Sequence, residues 1–314
     1  MFEVIVVGGG PAGLSAALTL GRANRRVLVL DSGHARNAPA AAVHNFFTRD
    51  GVPPADLRAI GRDQLMMYPT VEVRDGAATG VAQDDRGFIV QLADGTKVDT
   101  KRLLLASGLV DQLPDITGIA ELWGRAVFHC PYCHGFESSQ RPIAVIGGEP
   151  DRMRLALHLS RFSADVVLCT NGPADFPPSA AQAMSAAGVT VRRERITGFE
   201  AAGDKLHALA FQDGPALPRE VAFVSSTWTQ RSPLPGLLGC ATFPDCTVQV
   251  DEFHRTSVPG VYAAGDMARR ATIPVPLAAV VAAAASGTVA GSVLDQDLVS
   301  VDFQLPNPFT AQEK

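Results

Sequence analysis

The chain has no excess of basic residues. It carries 27 Lys and Arg against 32 Asp and Glu, a net charge of −5 over 314 residues. Nucleic-acid binding needs a positive patch or stripe, so no nucleic-acid partner is expected. Cysteine is also scarce, five in all, which does not make the disulfide scaffold of a small secreted domain. No basic n-region and no small-residue cleavage site precede the first apolar run, Phe2-Glu3-Val4-Ile5-Val6-Val7, so no signal peptide is read and a cytoplasmic location is expected. One uncharged run of 18 residues, 277–294, has the length of a membrane span. It is mostly alanine broken by Ser, Gly and Thr, and no basic cluster flanks it. The driving force for insertion is therefore weak, and no membrane partner is expected. Low-complexity tracts and solenoid repeats are missing too.

What is present is a core-forming chain, 46% hydrophobic, long enough for two domains or one large one. Its first 31 residues read as a βαβ unit. The apolar strand runs into Gly8-Gly9-Gly10-Pro11-Ala12-Gly13, an Ala/Leu-rich helix follows, and a second strand, Val27-Leu28-Val29-Leu30, ends at Asp31. Gly8, Gly10 and Gly13 give the G-x-G-x-x-G spacing. The first permits a tight turn, the second lets backbone approach a pyrophosphate, and the third lets helix and strand pack closely. The helix N-terminus would face the phosphates. Asp31, 18 residues after Gly13, is placed to accept hydrogen bonds from a ribose. The 277–294 segment would pack as a small-residue helix against the bound cofactor. Residues 32–60 read as loop, and 71–106 as short strands with a hairpin turn at Asp94-Gly95. A second βαβ pattern starts at Ile143-Ala144-Val145-Ile146-Gly147-Gly148, continues through a helix at about 151–162, and reaches Val166-Val167-Leu168. Residues 189–224 read as short strands. Two such units suggest an internal duplication.

The chemistry is expected at 129–135, His-Cys-Pro-Tyr-Cys-His-Gly. Cys130 and Cys133 are spaced to form one disulfide, and such a turn lowers the pKa of one thiol. His129 and His134 flank them, and an imidazole moves protons near neutral pH. A zinc half-site would need two more ligands. Cys240 and Cys246 lie far downstream with five residues between them, and no metal is expected. A structural disulfide is the other plain alternative. Cys169, Cys240 and Cys246 read as small apolar residues. His44 either touches a cofactor edge or caps a loop.

Four ordered motifs, Gly8-Gly9-Gly10-Pro11-Ala12-Gly13, Ala106-Ser107-Gly108, Cys130-x-x-Cys133 and Gly265-Asp266, resemble those of the low-molecular-weight thioredoxin reductases over nearly the whole chain. The resemblance implies an α/β fold of two nucleotide-binding Rossmann-like domains, three-layer ββα in form, the second inserted in the first. An FAD domain would span 1–110 and 233–314, and an NADPH-domain-like module carrying the cysteines would span 111–232. FAD contacts are implied at Gly8, Gly10, Pro11, Ala12, Gly13, Asp31, Ser32, Asn45, Ala78, Ser107, Gly108, Gly265, Asp266, Ala279 and Val280. The last two stand where a helix would present its N-terminus to the flavin, beginning around 276–280. A homodimer is also implied.

Two departures from that family bear on function. Its second glycine motif falls here on Gly147-Gly148-Glu149-Pro150-Asp151-Arg152. Glu149 stands where backbone must approach a pyrophosphate, its carboxylate and that of Asp151 would repel phosphate, and Arg152 stands where a small residue is needed. After the next strand comes Leu168-Cys169-Thr170-Asn171-Gly172, without the cations that would grip a 2′-phosphate. The second departure is His134, where reductases usually carry an aspartate. His-Cys-x-x-Cys-His with a degraded NADPH motif resembles the dithiol oxidases of the same superfamily, which close disulfides in small molecules and pass electrons through FAD to oxygen, giving H2O2. The implied catalytic set is Cys130, Cys133, His129 and His134, with Asp297, or else Asp295, as a carboxylate partner of His129. A reductase of a thioredoxin-like protein, fed by ferredoxin or weakly bound NAD(P)H, is the first alternative. A flavin-loaded redox sensor without turnover is the second. Substrate or partner is accordingly a small dithiol or a thioredoxin-like protein.

Overall fold

The computed structural model describes residues 1–309. They form two compact units. Among the described residues, the first comprises 1–38, 54–110 and 228–309, and the second 39–53 and 111–227. Two differences from the expected division stand out. The return to the first unit comes at Trp228 rather than at 233, and the strap 39–53 belongs with the second unit. Contacts distant in sequence place the strap there. Pro39 lies against Gly124, where a side chain would not fit, and His44 lies beside Glu137. A backbone bridge between Val43 and Val52 closes the strap on itself.

In the first unit, β2 (Val27–Asp31) pairs in parallel with β1 (Phe2–Val7) on one side and β3 (Val71–Asp75) on the other, and β1 pairs in parallel with the long β6 (Lys97–Leu105). β4 (Ala78–Asp84) and β5 (Gly87–Leu92) form an antiparallel hairpin that joins the start of β6. The strand Val261–Ala263 pairs in parallel with the end of β6. Side chains alternate across a strand. Val4 and Val6 therefore face the helical layer, with Ala12, Ala16 and Leu294. Ile5 and Val7 face Phe88, Val90 and Leu92. Each fully buried Leu or Ile stabilises this core by about 1.5–3 kcal/mol.

Helix α1 (Pro11–Arg22) carries proline in its first turn, where the missing N–H costs nothing. Helix α2 (Pro54–Leu65) occupies the end of a segment that reads as loop in sequence. Pro54 at its start and Asp56 in its first turn favour it, and Leu65 is buried. The alanine-rich segment forms part of the helix Val280–Phe303. Its small residues serve close packing on α1: a side chain at Gly287 would overlap the backbone of Ala12, and one at Gly291 would press on Ala16. The helix continues through Asp295 and Asp297. Among the described residues, no helix is long and apolar enough to cross a membrane.

The second unit has a five-stranded parallel sheet in the order Thr190–Arg192, Val166–Cys169, Ile143–Ile146, Val221–Phe223, Val127–Phe128. Ile143 and Val145 pack with Met153, Ala156 and Leu159 of the helix Pro150–Leu159. Ala144 and Ile146 pack with Phe199 and Leu209 of the antiparallel strands Ile196–Ala202 and Lys205–Phe211. Both units are thus three-layer ββα, and the fold is α/β with parallel sheets at its centre.

Candidate active site

The cofactor residues implied for the first unit gather at the carboxyl ends of its parallel strands, where open α/β sheets bind ligands. Gly8 and Gly10 follow β1, Asp31 and Ser32 end β2, Ser107 and Gly108 follow β6, and Gly265 and Asp266 follow Val261–Ala263. Gly8 adopts φ 121°, and a side chain there would run into the Ala106 carbonyl. A side chain on Gly13 would run into the Gly8 carbonyl. Gly10 differs: a Cβ there would meet nothing within 4 Å, so the first turn of α1, with Pro11 and Ala12, stays open above it. This cradle fits the pyrophosphate of FAD. Gly265, at φ 78°, approaches Ala12 and donates its N–H to the Ser286 hydroxyl (2.9 Å), which ties it to the helix that Ala279 caps and Val280 begins. Ser107 bonds the Met267 sulfur, and the Gly108 carbonyl accepts the Arg231 N–H. Ala78 is buried at the start of β4.

Four carboxylates of this unit that stand out in sequence have cation partners that sequence reasoning missed. Asp31 accepts the Gly33 N–H and lies 3.3 Å from Arg62 and 3.7 Å from Arg58, both on α2. Asp266 pairs with Arg36 at 2.9 Å. Asp297 bonds Arg102 Nε at 2.6 Å and accepts from Asn307 Nδ2 at 3.2 Å, while Asp295 pairs with Arg25. Asn45 lies in the strap of the second unit at φ 59°, its N–H donated to the Asp50 carboxylate.

The second unit repeats the glycine turn with a different filling. Gly147 follows the strand Ile143–Ile146 at φ 124°. A Cβ there would collide with the Glu149 carboxylate and the Arg152 stem, so these two side chains fold over the turn. Arg152 pairs with Asp151. Beyond Cys169, the Thr170 hydroxyl bonds the Gly172 carbonyl and Asn171 accepts the Ile196 N–H. Arg192 on the next strand is held by Glu194 and lies 3.7 Å from the Phe211 ring centroid.

The cysteines follow the edge strand Val127–Phe128, at the same end of this sheet. Cys130 and Cys133 are bonded, with Cα atoms 5.3 Å apart. Pro131–His134 forms one short helical turn between the strand and Gly135. His129 stacks on Trp123 with centroids 5.5 Å apart, and His134 stacks on Phe128 at 4.1 Å. Burial lowers the His134 pKa to about 4, helped by the nearby His129 and His44. Burial raises the thiol of Cys169 to about 12, and Cys240 and Cys246 are shifted upward for the same reason. None of the three is a ready thiolate at neutral pH. Sequence reasoning left His44 open; here it lies between Asp50 and Glu137 and edge-on to His134.

His134 makes stability depend on pH. Its folded pKa of about 4 lies below the unfolded value of 6.5, so between these the unfolded chain binds more protons. The contribution is present above about pH 6.5 and lost as pH falls toward 4, on the order of 1–2 kcal/mol. Denaturant midpoints at pH 7 and pH 4.5 check this: His134→Gln is expected to lose less stability over that interval than the parent. Equal losses would remove this role.

The pyridine nucleotide-disulphide oxidoreductase family matches residues 2–287. Thioredoxin reductase tcpT of Claviceps purpurea is 34% identical over 275 residues, covering 84% of this chain and 86% of its own length. Among solved structures, HlmI is 36% identical with a TM-score of 0.86, covering 96% of this chain and 94% of that one. The thioredoxin reductase TrxB of Bacillus anthracis, described as putative, is 29% identical with a TM-score of 0.88, covering 96% and 100%. The family match over most of the chain and the open glycine cradle lead to one conclusion: this protein belongs to the pyridine nucleotide-disulphide oxidoreductases and is an FAD-dependent disulfide oxidoreductase of the thioredoxin reductase type.

Proposed function

We propose that the protein oxidises a dithiol to a disulfide at Cys130–Cys133, with oxygen as final acceptor and peroxide as product. The observation that carries this direction is the contrast between the two glycine turns. Space is open at Gly10, whereas the equivalent position of the second turn is Glu149, whose carboxylate lies against Gly147 with the Arg152 stem. A nicotinamide dinucleotide laid on the second turn would meet a carboxylate where its pyrophosphate belongs. The residues there do not fit NADPH.

The substrate thiol first loses its proton, and its thiolate attacks Cys130. The Cys130–Cys133 bond breaks and Cys133 leaves as thiolate. The second substrate thiol, deprotonated in turn, attacks the substrate sulfur of the mixed disulfide. The product disulfide closes and Cys130 is released. His129, adjacent to Cys130 and oriented by Trp123, takes the proton of the incoming thiol. His134 is neutral at pH 7 and accepts a proton beside Cys133. Asp297 is engaged by Arg102 and Asn307 in its own unit, so proton transfer is assigned to the imidazoles without it. Gly8, Gly10, Gly13 and Asp266 would hold FAD, which would supply the redox chemistry between the thiol pair and oxygen.

The test is turnover of dithiothreitol in air. Oxygen uptake with peroxide release, unchanged by adding NADPH, is expected; no uptake would overturn the oxidase direction. A second reading, reduction of a thioredoxin-like protein, is favoured by one observation. Tyr132 and Phe136 beside the cysteines are 72% and 79% exposed, an apolar face of the kind a protein partner covers. The names of tcpT and the Bacillus protein agree with that reading. NADPH-driven reduction of a thioredoxin would establish it.

A further inference from the structure

A third imidazole lies beside the cysteine pair, brought there by the strap. His44 Nε2 is 3.5 Å from Glu137 Oε1, and its Nδ1 is 3.6 Å from Asp50 Oδ2. Its side chain is only 20% exposed, although both carboxylates reach solvent. The His44 ring meets His134 edge-on with centroids 6.5 Å apart, a span that one water bridges. His134 follows Cys133 directly and is fixed by its stack on Phe128. The titratable groups that face His44 are thus Asp50 from its own strap and Glu137 and His134 from the cysteine segment, with His129 acting on His134 from the other side.

From this arrangement we infer that His44, acting through His134, is the proton-relay residue of the disulfide site. A carboxylate stands beside each of its ring nitrogens, Glu137 at Nε2 and Asp50 at Nδ1. The inference rests on Cys130–Cys133 being the redox pair. Closing one dithiol releases two electrons and two protons. The electrons break the Cys130–Cys133 bond as the substrate bond forms, leaving the protons to be shared among the new cysteine thiols and nearby bases. His134 is poorly suited to keep one, because its buried ring sits against Phe128 with imidazoles on both sides. His44 is placed to pass it on: a carboxylate lies beside each ring nitrogen, and both carboxylates open to solvent. A proton taken at His134 moves to His44 and leaves past Glu137. This gives the strap a function in the second unit, where its polar residues would otherwise be only a loop.

The test is the rate at which dithiothreitol bleaches the flavin of the holoenzyme without oxygen, measured from pH 5 to 9. This half-reaction reports proton handling whichever way electrons flow in the cell. His44→Gln is expected to lower the limiting rate by about 10- to 100-fold, leave the dithiothreitol dependence within about twofold, and abolish the acid limb of the profile. Glu137→Gln, which keeps the imidazole, is expected to slow the reaction less and to displace the acid limb of the profile. A merely structural strap residue would not move that limb. Unchanged rates and profiles in both variants would overturn the relay, and if His44→Gln fails to fold, an unmoved limb in Glu137→Gln does so alone. Failure of the underlying reading looks different: Cys133→Ser would then still bleach at the parent rate.

Discussion

A Cys133→Ser variant is expected to bind FAD in full and to lose dithiol turnover by at least about three orders of magnitude. The two sulfurs act as one unit. Without Cys133 there is no Cys130–Cys133 bond for a substrate thiolate to break, and the lone Cys130 thiol has no partner sulfur to take up the electron pair. Serine matches cysteine closely in size and the position is half-buried, so the fold and the first unit are left intact. The flavin spectrum of the purified variant reports cofactor content, and oxygen uptake reports turnover. A colourless variant would mean that the cysteine segment supports the cofactor. A yellow and active variant would move the redox centre elsewhere, and Cys169, raised to about 12 by burial, would be a poor substitute.

The second large effect concerns the first glycine turn. Gly10→Glu is expected to fold and to lose FAD affinity by about 100- to 1,000-fold. Gly10 has φ −82°, a conformation open to any residue, and a side chain there meets no neighbour within 4 Å. Nothing in the protein resists the substitution. What resists is the ligand: a carboxylate about 4 Å from a phosphate charge costs about 4 kcal/mol at an effective dielectric near 20, where each tenfold in affinity is about 1.4 kcal/mol. Gly10→Gln separates bulk from charge and is expected to keep more of the affinity. Flavin fluorescence during titration of the apoprotein measures both. The substitution copies into the first turn what Glu149 places in the second. Unchanged FAD binding in Gly10→Glu would weaken the case that Glu149 excludes a dinucleotide.

Sequence made the first cradle readable because its glycines answer to local geometry. Gly8 needs φ 121° and Gly13 cannot carry a side chain, and such demands leave fixed spacings. The cysteine pair was readable for the same reason, since three residues of separation are enough to close it. Helix α2 was hidden because Gly, Ala and Pro around it mimic loop composition, while burial of Leu65 and packing against α1 decide the matter. The strap was hidden more deeply. Its place in the second unit depends on Pro39 against Gly124 and His44 beside Glu137, pairings that no local pattern announces. The same holds for Arg102 with Asp297 and Arg36 with Asp266: the acids stand out in sequence, but their partners come from distant segments. Glu149 and Arg152 were legible as departures from a motif. Their folding over Gly147 was not, because it depends on where two flexible side chains come to rest.

The direction of electron flow is tested most directly by anaerobic reduction of the holoenzyme. Dithiothreitol is expected to bleach the flavin within the time of one catalytic turnover, while millimolar NADPH leaves it oxidised over minutes. Rapid bleaching by NADPH, with slow or absent bleaching by the dithiol, would contradict the covered second cradle and return the protein to the reductases.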